Sequence, residues 1–169
     1  MPEGKTINGV VWREGLRPED REAVNRLVRA TGFFSEEEIG IAVELVGERL
    51  EKGEASGYLF LFAEGEGRLL GYACFGPIPG STHSHDLYWI VVDPGAQGRG
   101  LGRRLLEGAE RIMAGRGARR VYADTSSRFQ YAPTRSFYLA CGYREEAFLE
   151  DFYAPGDGKV IFVKPLLEK

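Results

Sequence analysis

The sequence predicts an α/β (α+β) domain, a mixed sheet with helices packed on its faces. Three observations carry the prediction. Apolar residues recur at helical spacing in four stretches, runs rich in branched and aromatic residues fall between them, and glycine- or proline-rich turns separate the two kinds. In order the elements read strand, two helices, three strands, helix, strand, helix, two strands, which makes about seven strands and about four helices.

Val10, Val11, Trp12 and Arg13 suit a short strand. Pro18 at a first helical position, with Glu19 and Asp20 beside it, then marks a helix start. Val24, Leu27 and Val28 share one face of that helix, and Thr31-Gly32 ends it. Ser35 and Glu38 have the spacing of a capping box, after which Ile39, Val43, Val46 and Leu50 repeat at helical period as far as Gly53. Residues 58–63 and 69–75 are β-rich and joined by Glu64-Gly65-Glu66-Gly67, so they read as an antiparallel hairpin. A loop over residues 76–85 leads to a central strand at 87–92, a continuous apolar run. Leu101, Leu105, Leu106, Ala109, Ile112 and Met113 form one helical stripe, broken at residues 115–117. A strand at 121–124, a helix at 133–141 stopped by Gly142, and a closing hairpin from 143–148 and 160–163 complete the order. No repeat, low-complexity segment or long linker divides the 169 residues, so a single domain over 1–169 is expected.

Composition narrows the function. Hydrophobic residues make up 43% and charged residues 28%, ordinary values for a soluble protein, and no apolar run approaches the ~20 residues that cross a bilayer. No membrane association is therefore expected. Met1, Pro2, Glu3, Gly4 and Lys5 lack the basic-then-apolar order of a secretory signal, so the expected location is cytoplasmic. The net charge of −3 gives no general attraction to nucleic acid. Cys74 and Cys141 have no metal-ligand or redox spacing and read as buried thiols, and no metal is expected.

The chemistry concentrates in the segment Ile90, Val91, Val92, Asp93, Pro94, Gly95, Ala96, Gln97, Gly98, Arg99, Gly100, Leu101, Gly102, Arg103 and Arg104. A buried strand ends, three alternate glycines follow, and an amphipathic helix begins at once. Glycines let backbone N–H groups converge, and a helix N-terminus adds about half a unit of positive charge. This arrangement binds an anion, and the arginines favour a pyrophosphate over a single carboxylate. A nucleotide-hydrolysing loop would need Lys-Ser or Lys-Thr at the helix start. The only Lys-Thr pair, Lys5-Thr6, lies near the chain start without such a loop. A dinucleotide fingerprint, and with it a nucleotide-dependent oxidoreductase, fits Gly98-x-Gly100 and an acid at Asp124. Its third glycine, however, is Arg103, too bulky for the helix-to-strand contact made there.

The segment resembles the cofactor signature of the Gcn5-related N-acetyltransferases, [QR]-x-x-G-x-[GA], through Gln97-x-x-Gly100-x-Gly102, preceded by Val92-Asp93-Pro94. A second motif of that family, Tyr-x-x-x-Gly-[FY], is matched by Tyr138, Gly142 and Tyr143. The resemblance implies a mixed, mostly antiparallel central sheet and acetyl-coenzyme A as cosubstrate. It implies that Ile90, Val91 and Val92 line the pantetheine arm on a strand that splays from its neighbour. Gln97, Gly98, Arg99, Gly100, Leu101, Gly102 and Arg103 would hold the pyrophosphate. Tyr138 matches the tyrosine that protonates the leaving thiolate, and Asp86 stands where relatives carry a carboxylate base. His83 and His85 remain open as alternatives to Asp86. The family commonly has an asparagine where this chain has Tyr131, and Ser126, Ser127 and Gln130 are the candidates to take over its contact.

The function so implied is transfer of an acetyl group from acetyl-coenzyme A to a primary amine of a small molecule or peptide. The alternative is a non-catalytic acyl-coenzyme A sensor or interaction domain. Glu145, Glu146, Glu150, Asp151 and Asp157, interleaved with Phe148, Phe152 and Tyr153, form an acidic and aromatic segment suited to a cationic acceptor. Exposed strand edges are compatible with a homodimer.

Overall fold

The computed structural model describes residues 6, 7 and 9–166. Residues 1–5, read above for an export signal and for the Lys5-Thr6 pair, lie outside them. Among the described residues there are four α-helices and eight strands, and the chain divides into two compact units, residues 1–76 with 89–112 and residues 77–88 with 113–169.

Unit 1 begins with β1 (Thr6–Ile7) and β2 (Val10–Arg13), followed by α1 (Asp20–Ala30) and α2 (Glu36–Lys52). Strands β3 (Leu59–Gly65) and β4 (Arg68–Pro77) come next, then β5 (Ser84–Val92), which passes from unit 2 into unit 1, and α3 (Leu101–Gly115). β1, β2, β3 and β4 pair antiparallel in that order. The β3–β4 hairpin turns on Glu66 and Gly67, both at positive φ, as a two-residue turn of matching twist requires.

α1 starts two residues later than its proline suggests. Arg17, Pro18 and Glu19 form a turn instead, closed by the Asp20 N–H donating to the Arg17 carbonyl at 3.0 Å and the Arg17 N–H donating to Asp20 Oδ2 at 2.7 Å. The Asp20 carboxylate also takes two bonds from the Arg13 guanidinium, each 2.8 Å, and so fastens α1 to β2. The capping box opening α2 is complete in both directions. The apolar faces of α1 (Val24, Leu27, Val28) and α2 (Ile39, Ala42, Val46) close over Phe60, Phe62, Tyr72, Cys74 and Val91. Burial within that core pushes the Cys74 thiol above its ordinary range, so it is an inert packing group.

Unit 2 holds the N-terminal half of β5, then β6 (Arg120–Ser126), α4 (Ala132–Ala140), β7 (Arg144–Ala154) and β8 (Asp157–Pro165). β5 and β6 are parallel, while β6 pairs with β8 and β8 with β7 antiparallel. The mixed, mostly antiparallel character expected of the sheet is thus present, with β1 as an additional short strand. Among the boundaries that differ from the sequence reading, those of β5 and β7 shift the most site residues. β5 starts at Ser84, so His85 and Asp86 belong to the strand and not to the preceding loop. The Ile78 N–H donates to the Ser84 carbonyl at 2.9 Å and the Arg119 N–H to the His83 carbonyl at 2.8 Å, and this pairing overrides the polar composition. β7 continues to Ala154 through register shifts after Glu145 and Leu149, because β8 supplies a partner as far as Asp157.

Candidate active site

In unit 1 the end of β5 is pinned before it becomes a loop. The Asp93 N–H donates to the Leu70 carbonyl at 2.7 Å, and the Asp93 carboxylate accepts from the Gly95 N–H at 3.0 Å and pairs with Arg68 at 2.7 Å. Gln97 folds back so that Nε2 donates to the Val92 carbonyl at 3.3 Å. Gly98 and Gly100 then take φ of 78° and 74°, and a Cβ on either would meet no atom within 4 Å. Glycine is needed there for the backbone conformation and not for space, and the loop opens directly onto the first turn of α3. The first N–H groups of a helix have no intrahelical partners, so this turn presents donors to an anion.

Arg99 and Arg103 are largely exposed beside the loop, Arg103 in an i,i+4 pair with Glu107 at 3.4 Å and Arg99 at 3.9 Å from Glu66. Arg104 is turned away, its guanidinium 5.3 Å from the Trp12 ring centroid. Leu101 is buried at the helix start and Gly102 follows it. Val91 is 4% exposed within the core, so only its backbone can line a ligand, whereas Ile90 and Val92 are half-buried.

In unit 2 successive β5 side chains point to opposite faces. Register pairs Asp86 with Tyr122, which places Asp124 on the same face. Asp86 is half-buried, and its carboxyl is pushed up to about 6 by burial first and by the Asp124 charge second, with Lys159 opposing. Asp124 pairs with Lys159 at 3.1 Å, and Lys159 Nζ stands 4.5 Å from the Phe152 ring centroid. Burial also raises the Tyr153 phenol, helped by Asp124, Asp157 and Tyr131, so acids and aromatics gather on this face.

The other face carries His85, which burial and Arg116 push toward the neutral form. Tyr138 reaches that face from α4. It is 5% exposed, with ring centroids 5.5 Å from both Tyr143 and Phe162. Burial, then Asp124 and Cys141, raises its phenol above the ordinary range, so the hydroxyl keeps its proton. The residue stays fixed because its carbonyl accepts from the N–H groups of Cys141 and Tyr143, the latter at 3.0 Å, which ends the helix. His83 is held through Nδ1 at 3.2 Å from the Gly117 carbonyl and belongs to the turn, not to the face of Asp86.

Thus Asp86 and Tyr138 lie in unit 2 and the loop residues in unit 1. Two of the three candidates for the Tyr131 substitution are already engaged. The Ser126 hydroxyl bonds the Asp157 carboxylate and accepts from the Arg128 N–H, and the Ser127 hydroxyl accepts from the Gly158 N–H at 2.8 Å. Gln130 is exposed. Lys159 is absent from the sequence reading, and Asp124 enters it only as the acid of a dinucleotide fingerprint. The period-two alternation of residues 120–126 is the signal that marks Asp124 as face-exposed. Among the described residues no group of three or more His, Cys, Asp or Glu is placed to hold a metal ion.

The model of the Acetyltransferase (GNAT) family matches residues 22–143. Among solved structures, a protein from Desulfovibrio desulfuricans assigned to the GNAT acetyltransferases is 44% identical. It matches with a TM-score of 0.91 over 92% of this chain and 98% of its own. The aminoglycoside 6'-N-acetyltransferase from Enterococcus faecium matches at 20% identity and TM-score 0.75, over 94% of this chain and 98% of its own. The ribosomal-protein-S18-alanine N-acetyltransferase from Escherichia coli matches at 22% and 0.70, over 95% and 96%. At such identities these last two likenesses speak for the architecture alone. No curated protein sequence matches the chain significantly.

Proposed function

The chain belongs to the GNAT family of acetyltransferases, and on that premise we propose that it moves the acetyl group of acetyl-coenzyme A directly to a primary amine of a small molecule or peptide. The observation that carries the reading is the pair of left-handed glycines, Gly98 and Gly100, opening onto the N-terminus of α3 beside Arg99 and Arg103. The residues present fit the cosubstrate. Backbone N–H groups from Gln97 to Gly102 would hold the pyrophosphate, the two arginines would add charge, and the backbone of Ile90, Val91 and Val92 would pair with the pantetheine arm as an added strand.

Bound acetyl-coenzyme A supplies a thioester, an acetyl group on a leaving thiolate. Asp86 receives a proton at its carboxylate, keeping the incoming amine neutral and nucleophilic. Tyr138 holds a proton on its hydroxyl for the departing sulfur, and its raised phenol keeps that proton in place until a strong base forms. The Asp86 carboxylate is too weak a base to take the proton of the raised Tyr138 phenol, so acid and base do not neutralise one another. Asp124 and Asp157 with Tyr131, Phe152 and Tyr153 support a cationic acceptor.

Lys159 tunes this site. Replacing it with methionine removes the charge that holds the Asp86 carboxyl down, so the acidic limb of the rate profile moves to higher pH. It also frees Asp124, and KM for a cationic amine falls about threefold, a change of the size expected for an exposed ion pair. Steady-state kinetics across pH 5 to 8 checks both effects, and an unmoved limb would show that Lys159 does not act on the base.

Ligand-dependent thermal stability tests the reading as a whole. At a hundred times its dissociation constant, acetyl-coenzyme A should add ~2.7 kcal/mol of stability, and NAD and ATP none. A shift with NAD or ATP in its place would overturn the assignment.

A further inference from the structure

The face of unit 2 that suits a cationic acceptor already holds a primary amine, and it belongs to the chain. Lys159 pairs with Ser126 across the β6–β8 ladder, so its side chain shares a face with Asp124 and, through the pairing of Asp86 with Tyr122, with Asp86. Its Nζ stands 3.1 Å from Asp124 Oδ2 and 4.5 Å from the Phe152 ring centroid, and its charge reaches the Asp86 carboxyl. A carboxylate, an aromatic ring and a base are the groups that an incoming amine would meet here, and Lys159 meets all three.

The surroundings single this amine out. Asp157 is taken by Arg128 at 3.2 Å, and a guanidinium stays protonated and cannot attack a thioester. The other two lysines among the described residues lie elsewhere. Lys52 pairs with Glu48 at 2.7 Å on α2, and Lys164 pairs with Val121 on the opposite face, its Nζ donating to the Cys141 carbonyl at 2.9 Å. The Lys159 side chain is 21% exposed, so it is held without being sealed off. An ion pair open to water is weak, and the flexible four-carbon stem lets Nζ leave Asp124.

We propose that Lys159 is a self-acetylation site, its Nζ taking the acetyl group of acetyl-coenzyme A bound to the same chain when no other amine is present. The nitrogen–carbon bond forms as the carbon–sulfur bond breaks. The ammonium gives up two protons, one passing by way of Asp86 to water and one balancing the proton that Tyr138 delivers to the sulfur. The product amide is neutral, so Asp124 loses its partner and the face turns more acidic toward an incoming cation. The inference rests on the acetyl-coenzyme A reading above and adds an acceptor built into the chain.

The test is to incubate the full chain with acetyl-coenzyme A alone and to locate acetyl groups by fragment mass spectrometry over time and over a range of protein concentrations. The thermal shift produced by acetyl-coenzyme A is measured in parallel. Lys159 should take one acetyl group at a rate independent of protein concentration and at least about tenfold above that of Lys52, the advantage of a positioned nitrogen over a free one. Asp86→Asn should slow the labelling about tenfold or more. Lys159→Arg should remove the label without its moving to Lys52 or Lys164. An unmodified Lys159 in a chain that acetyl-coenzyme A stabilises, equal labelling of Lys52, a rate that rises with protein concentration, or an unchanged rate in Asp86→Asn would overturn the proposal and leave the acetyl-coenzyme A reading standing. Absence of any thermal shift would instead remove that reading and the proposal with it.

Discussion

Replacing Tyr138 with phenylalanine should lower kcat for amine acetylation by about 10²-fold or more, the lower end of what a positioned general acid contributes. Coenzyme A affinity should stay close to that of the parent. The separation follows from what the side chain does. Its ring packs against Phe137, Tyr143 and Phe162, contacts that phenylalanine keeps, while the only group lost is the hydroxyl that carries the proton. In free energy the loss is about 3 kcal/mol of transition-state stabilisation. Rate and affinity measured on the same preparation check it. An unchanged rate would remove Tyr138 from the chemistry, and an unchanged rate with no transfer in either protein would favour a binding domain over an enzyme.

The second large effect belongs to Asp86. Its carboxyl is pushed up to about 6, so the base is ionised above that pH and protonated below it. The value of kcat/KM should therefore rise with pH through an inflection near 6 and level off above about 7, falling about tenfold per pH unit on the acid side. Asp86→Asn should lower the plateau by about 10²-fold and abolish the inflection. Neither His85 nor His83 should reproduce this behaviour. His85 is buried on the opposite face and held toward neutrality, and His83 is tied to the Gly117 carbonyl. A limb that survives in Asp86→Asn would assign the titration elsewhere.

Much of this molecule is written in local pattern. The spacing of Val24, Leu27 and Val28 and the pairing of Ser35 with Glu38 mark the first two helices because helix faces and caps depend on residues three or four apart. The glycine loop before α3 was legible for a similar reason, since Gly98 and Gly100 answer to a backbone conformation that their own positions dictate. Tyr138 could be placed because its motif spans one helix end, and the bond from the Tyr143 N–H to its carbonyl is the physical content of that spacing.

What the pattern could not supply depends on distant partners. His85 and Asp86 look like loop residues and become strand only because Val121 and Tyr122 lie alongside. The pairing of Asp124 with Lys159 joins segments far apart in the chain and is fixed by the β6–β8 register, as is the extension of β7 by the β7–β8 register. Pro18 misled for the opposite reason. It signals a first helical position, yet Asp20 is drawn back onto Arg13 and the Arg17 N–H, which postpones the helix.

The most direct test of the account is acetyl transfer itself. The purified chain is mixed with acetyl-coenzyme A and a panel of primary amines ranging from neutral to polycationic, and thiol release is followed together with the mass of each amine. Coupled release of free thiol and appearance of the acetylated amine, fastest for cationic members and strongly reduced in Tyr138→Phe, is the predicted result. Binding of acetyl-coenzyme A with no amine acetylated, or equal release in the Tyr138 variant, would contradict it.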